Sequence, residues 1–91
     1  MPKIEKEVTV MNQKGLHARP AALFVQLADK FDAKVMIVKG GEEINGKSIM
    51  GILMLGAQYL SKFKLIVDGP DAQQAIVELE AFLNKQEETT A

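Results

Sequence analysis

The chain has 91 residues, 47% of them hydrophobic and 25% charged, the balance of an ordinary globular domain. Eleven Lys plus Arg against twelve Asp plus Glu leave a formal net charge of −1, without the basic excess that a nucleic-acid partner selects. Cysteine is absent, which excludes disulfides, thiolate nucleophiles and thiolate metal sites and leaves the fold to a modest hydrophobic core.

Ile4 and Val8-Thr9-Val10 alternate as a half-buried strand does, and Asn12-Gln13-Lys14-Gly15 breaks the pattern. From His17 onward, Ala21, Phe24, Val25, Ala28 and Phe31 recur at helical spacing. Pro20 fits only the first turn, where its missing N–H costs nothing, so this helix starts at about His17 to Arg19. Ala33 to Val38 reads as a second strand, joined through Gly40-Gly41 to a short third strand over Glu42 to Asn45 as a hairpin. Ser48 is placed to cap a helix running through Leu55, although Gly51 weakens that helix.

Phe63 to Val67 is a fourth strand. Asp68-Gly69-Pro70-Asp71 predicts a helix start with proline near the first position and an acid in the first turn. Ala72, Ala75, Ile76, Leu79, Phe82 and Leu83 trace one stripe of that helix, Lys85 suits its end, and the polar stretch Gln86 to Ala91 is expected to fray. The order β-α-β-β-α-β-α, with no repeat or linker, predicts a single α+β domain over residues 1–91 with an ordered core of about 4–85. Three helices suffice to cover one sheet face only. An open-faced β-sandwich follows, a four-stranded antiparallel sheet with all three helices on one side.

The longest apolar region, Ile49 to Ala57, is far short of a bilayer span, and the first residues lack the apolar stretch of a signal peptide. A cytoplasmic chain without membrane insertion is expected. One histidine and no cysteine make a metal site unexpected, and no cofactor is called for.

His17 is the only histidine and Arg19 the only arginine, two positions apart at the predicted helix start. Backbone N–H groups there have no intrahelical partner and, with the positive helix end, form an anion site. Arg19 would add a planar, permanently charged fork for phosphate oxygens. A neutral imidazole nitrogen is a competent nucleophile near neutral pH. Together these parts point to a histidine that accepts a phosphoryl group. Residue chemistry alone leaves an ordinary helix-start histidine beside a solvated arginine equally open.

In the second helix Ile49, Met50, Ile52, Leu53, Met54 and Leu55 surround nearly the whole circumference. A small domain cannot bury all of that, so part of it, with Ile49, Met50, Leu53 and Met54 as candidates, should form a docking patch. Methionines suit a surface that adapts to several partners. Burial of the whole segment in the core is the alternative. Ser48 at the cap would tolerate phosphorylation, because about −2 charge there is favoured by the helix dipole and would act on docking instead of unfolding.

Gly15-Leu16-His17-Ala18-Arg19-Pro20-Ala21-Ala22 resembles the active-site signature of the HPr family, the histidine-containing phosphocarriers of the bacterial sugar phosphotransferase system. Asn45-Gly46-Lys47-Ser48-Ile49-Met50-Gly51-Ile52-Leu53-Met54-Leu55 is similar to that family's second signature, around its regulatory serine. The resemblance spans about residues 4 to 84. It implies that His17 is phosphorylated on Nδ1 by phospho-enzyme I at the expense of phosphoenolpyruvate, that Arg19 pairs with the phosphoryl group, and that Pro20 opens the first helix. It further implies delivery to enzyme IIA domains and modification of Ser48 by HPr kinase/phosphorylase, with a transcriptional regulator as a further partner of the modified form. A monomer is expected.

Two positions depart from the family pattern. Lys14 stands where many members have a small polar residue, and Tyr59-Leu60-Ser61-Lys62 lacks the usual glycine, which puts that turn's geometry in question. The main rival reading is a regulatory or corepressor module acting through Ser48, or one serving a nitrogen-related phosphotransfer branch; the presence of His17 favours the carrier. An RNA-binding domain lacks a basic face and stacking platform here. A stand-alone enzyme lacks a second catalytic group.

Overall fold

The computed structural model describes residues 3–11, 18–56, 58 and 60–84. Its elements run β1 (Lys3–Thr9), α1 (Ala18–Ala28), β2 (Lys34–Lys39), β3 (Glu42–Asn45), α2 (Ile49–Leu55), β4 (Lys62–Asp68) and α3 (Ala72–Asn84). The four strands form one antiparallel sheet in the spatial order β1-β4-β2-β3. This is the open-faced architecture that the element order predicts.

The two-residue period of the strands sorts their side chains. The register aligns Ile4, Val67 and Val35 in one row and Lys6, Leu65, Ile37 and Ile44 in the next, with Val8 against Phe63. Val35, Ile37, Leu65 and Val67 are fully buried under the helices, beside Phe24 of α1, Ile52 of α2 and Leu79 of α3. Lys6 lies in these rows but on an edge strand, and its Nζ pairs with Glu80 of α3 at 2.7 Å. The opposite face carries rows such as Lys3, Asp68 and Lys34, or Glu7, Lys64, Val38 and Glu43, and faces water.

Gly40 and Gly41 form the two-residue β2–β3 loop with φ of 57° and 83°. Positive φ at both central residues is the type I′ geometry whose twist matches the flanking strands. Gly51 has a packing reason inside α2. A Cβ there would stand 2.8 Å from Cγ2 of Ile44, so glycine lets the helix lie close on β3.

Two expected boundaries are corrected. Phe31 continues the helical spacing and is buried, yet α1 ends at Ala28. Lys30 and Phe31 donate to the carbonyls of Leu27 and Ala28, three residues back, which tightens the chain and swings Phe31 into the core from a turn. Pro70 is not at the first helical position, and no acid occupies the first turn of α3. Asp71 stands just before the helix, its carbonyl accepting from Ala75 N–H at 3.0 Å. Its carboxylate turns instead to the neighbouring start of β2, accepting from the N–H groups of Asp32 at 2.8 Å and Ala33 at 2.9 Å.

The Asp32 hydrogen bond is the chief reason that the Asp71 carboxyl is held below its ordinary pKa. A depressed folded value contributes stability that is complete above the ordinary carboxylate range and is lost as pH falls through the folded value. Asp71→Asn should therefore flatten the acid limb of a stability-against-pH curve measured by denaturant unfolding. Superimposable limbs for the two proteins would contradict the clamp.

The turn before β4 keeps a glycine-like backbone without glycine. Leu60 has φ of 68° and is the one non-glycine residue with positive φ among those described. For a side chain with a Cβ this costs about 1–2 kcal/mol. The turn is held by Leu60 N–H donating to Val10 O at 2.8 Å, Val10 N–H donating to Ser61 O at 3.0 Å, and Ser61 Oγ donating to Gln58 O at 2.7 Å.

Candidate functional site

His17 and Lys14 lie outside the described residues, and the site is built from the chain on either side of residues 12–17. On the strand side, Met11 N–H donates to Leu83 O at 3.0 Å, and Val10 is tied to the Leu60-Ser61 turn. These bonds fix the chain where it leaves β1. On the helix side, Ala18, Arg19 and Pro20 are the first three residues of α1, Arg19 exposed and Pro20 buried. Proline in the first turn is the expected position, where no hydrogen bond is lost.

The electrostatics of that helix end follow from its sequence. The first N–H groups of a helix have no intrahelical acceptor. The first turn of α1 contains no acid that would neutralise the positive helix end. Among the described residues Arg19 forms no ion pair with a carboxylate. The first turn of α1 thus carries the permanent charge of Arg19 and no acid, directly after residue 17 in the chain, a composition suited to an anion. Among the described residues no group of three His, Asp or Glu side chains could hold a metal ion, and no described helix is long and apolar enough to cross a membrane.

Ser48 caps α2 as the sequence predicts. Its backbone is extended at φ −115° and ψ 116°, and its Oγ accepts from Gly51 N–H at 3.0 Å. Ser48→Ala should cost about 1 kcal/mol in denaturant unfolding; no measurable loss would contradict the cap. An open cleft of ≈ 280 Å³ runs along the junction of β3 and α2, with Glu42, Glu43, Ser48 and Met54 among its lining residues.

The apolar circumference of α2 divides into two. Ile52 and Leu55 are buried, and Leu53 is half-buried against the core. Ile49, Met50 and Met54 are 43%, 65% and 77% exposed. Three of the four expected docking residues therefore stand free, and Leu53 only in part. Two further leucines, Leu23 and Leu60, are exposed outside the predicted patch. Leu23 belongs to α1 yet falls off its buried stripe of Ala21, Phe24, Val25 and Ala28, a signal legible in the spacing. Leu60 gave no signal beyond the missing glycine.

Comparison with known proteins agrees with this fold. Residues 4–85 match the family described as PTS HPr component phosphorylation site. The phosphocarrier protein HPr of Treponema pallidum is 46% identical over 86 residues, which are 93% of this chain and 98% of that protein. The crystal structure of HPr from Bacillus anthracis superposes with a TM-score of 0.87 at 42% identity, covering 91% of this chain and 99% of that one. Crh of Bacillus subtilis, whose crystal structure is described as a domain-swapped dimer, gives a TM-score of 0.72 at 41% identity over 88% of this chain and 92% of that one.

Proposed function

Since the chain belongs to the HPr family of phosphotransferase-system phosphocarriers, we propose that His17 accepts a phosphoryl group from phospho-enzyme I and hands it to enzyme IIA domains. The observation that carries this reading is the exposed Arg19 at an α1 terminus free of acids, two residues beyond His17. In the first transfer the phosphorus–donor bond breaks as a bond forms to imidazole Nδ1. In the second the phosphoryl group leaves to the acceptor and the imidazole is restored. Protonation of, or hydrogen bonding to, the ring makes it a good leaving group. The chain's share of the work is positioning and charge stabilisation, the main contributions in phosphoryl transfer.

The test is a reconstitution. With enzyme I and phosphoenolpyruvate the chain should take up one acid-labile phosphoryl group and lose it when an enzyme IIA domain is added. A chain that remains uncharged would sink the proposal.

Docking falls to the exposed side of α2, with Ile49, Met50 and Met54 and the edge of Leu53, where methionines accommodate more than one partner surface. Ser48 is the regulatory position of this reading. Phosphate at the α2 cap would leave the helix folded, repel a partner that prefers the patch neutral, and favour a transcriptional regulator with a basic pocket. Incubation with HPr kinase/phosphorylase should add an acid-stable phosphate that Ser48→Ala abolishes; a label that survives would move the site elsewhere. A monomer is the proposed working state, in contrast to the swapped Crh dimer, and sedimentation at micromolar concentration distinguishes the two.

A further inference from the structure

The peptide unit between Phe31 and Asp32 is gripped from both sides. Its carbonyl accepts from Lys47 Nζ at 2.7 Å, and its N–H donates to Asp71 Oδ2 at 2.8 Å. An ammonium and a carboxylate thus polarise one peptide in the same direction, two charge-assisted hydrogen bonds in series. Lysine ordinarily keeps its charged head in water, yet Lys47 is half-buried, and fixing so long a side chain costs rotamer freedom. The next residue is Ser48. Its loop is laid against β2 by the backbone, with Gly46 N–H donating to Val35 O at 2.8 Å and Ser48 N–H to Asn45 O at 3.1 Å. A Cβ at Gly46 would run into Val35, so the approach is close. Lys47 N–H adds a bond to Asn45 Oδ1 at 2.9 Å. The ammonium of Lys47 therefore joins the loop that carries Ser48 to the turn between α1 and β2.

We propose that Lys47 is a positioning residue for the phosphorylation of Ser48: by holding the Phe31 carbonyl it presents the Ser48 hydroxyl to the kinase in one orientation. The inference rests on the regulatory reading of Ser48 above. Ser48 Oγ accepts from Gly51 N–H at 3.0 Å, which occupies one lone pair and leaves the other, with the hydroxyl proton, for the reaction. In that step Oγ bonds the terminal phosphorus of a nucleoside triphosphate, the bond from that phosphorus to its bridging oxygen breaks, and the hydroxyl proton passes to a base of the kinase. Such a transfer depends steeply on alignment. The Lys47 charge is directed to Phe31 inside the fold, so its loss should appear in kcat and not in KM.

The assay is steady-state phosphorylation by HPr kinase/phosphorylase and ATP, at a temperature where thermal melts show each variant folded. Lys47→Met should lower kcat about 10-fold or more with KM little changed, and should speed amide exchange at Ser48 and Gly51. Lys47→Arg, which keeps a charged donor of similar reach, should recover most of the lost kcat. Should Lys47→Met fail to fold, Asp71→Asn loosens the same peptide from its other side and should lower kcat in the same sense. A raised KM with unchanged kcat would make Lys47 a contact for the kinase and overturn the positioning role. Unchanged kcat and KM would overturn it too, leaving Ser48 as the modified residue. A wild-type chain that takes no phosphate on Ser48 would overturn both readings.

Discussion

His17→Ala is expected to carry no acid-labile phosphate after incubation with enzyme I and phosphoenolpyruvate, while its thermal unfolding stays close to that of the parent. The loss is complete in kind because the chain offers no second histidine and no cysteine, and hydroxyl or carboxylate acceptors would give products of different acid stability. Arg19→Ala should behave differently. Removing one charge-assisted contact worth about 1.5–3 kcal/mol slows transfer by about 10- to 100-fold without abolishing it. Arg19 is exposed and forms no ion pair with a carboxylate among the described residues, so its removal should change stability by no more than about 0.5 kcal/mol. Unfolding of either variant would mean that these side chains support the fold instead of the chemistry.

Phe24→Ala should be the most damaging change to the fold. Phe24 is fully buried and meets Phe82 of α3 edge-on, with ring centroids 6.0 Å apart and an interplanar angle of 61°. It therefore joins α1 to α3 above the sheet. Truncation of a buried aromatic costs about 3–5 kcal/mol, a large share of the roughly 5–15 kcal/mol that holds a domain folded. At about 4–8 °C per kcal/mol for a domain of this size, the expected fall in Tm is about 12–40 °C. A fall of only a few degrees would show that the helical layer closes the gap, contrary to the packing described.

What could be read in advance follows the range of the forces involved. Strand alternation, the Gly40-Gly41 hairpin and the Ser48 cap depend on neighbours within a few residues, and each is found where the local pattern puts it. The start of α3 lies later than the local pattern puts it because Asp71 looks like a first-turn acid, while its carboxylate is committed to the backbone of Asp32 and Ala33, almost forty residues away in sequence. The end of α1 lies earlier than the spacing suggests because Phe31 keeps helical spacing through a tightened turn. Periodicity reports that a residue is buried; it does not report whether helix or turn brings it there.

The proposed functional residues divide along the same line. His17 and Arg19 stand out by rarity and spacing, and the helix end beside them is implied by Pro20. Which side of α2 is free could not be read from its composition, because every position but Gly51 is apolar. Packing against α1 and β3 decides it, burying Ile52 and Leu55 and leaving Met50 and Met54 outside. The missing glycine in the Leu60 turn was visible, but not that leucine would adopt the conformation that glycine would have taken.

The central claim is that a single imidazole carries the phosphoryl group between partners. Combined phosphorus and nitrogen NMR of the ¹⁵N-labelled chain, charged through enzyme I and phosphoenolpyruvate, addresses that claim most directly. One phosphorus resonance coupled to Nδ1 of His17, disappearing on mild acidification or on addition of an enzyme IIA domain, is the predicted result. A phosphorus resonance on an oxygen of another residue, or none coupled to the imidazole, would contradict it.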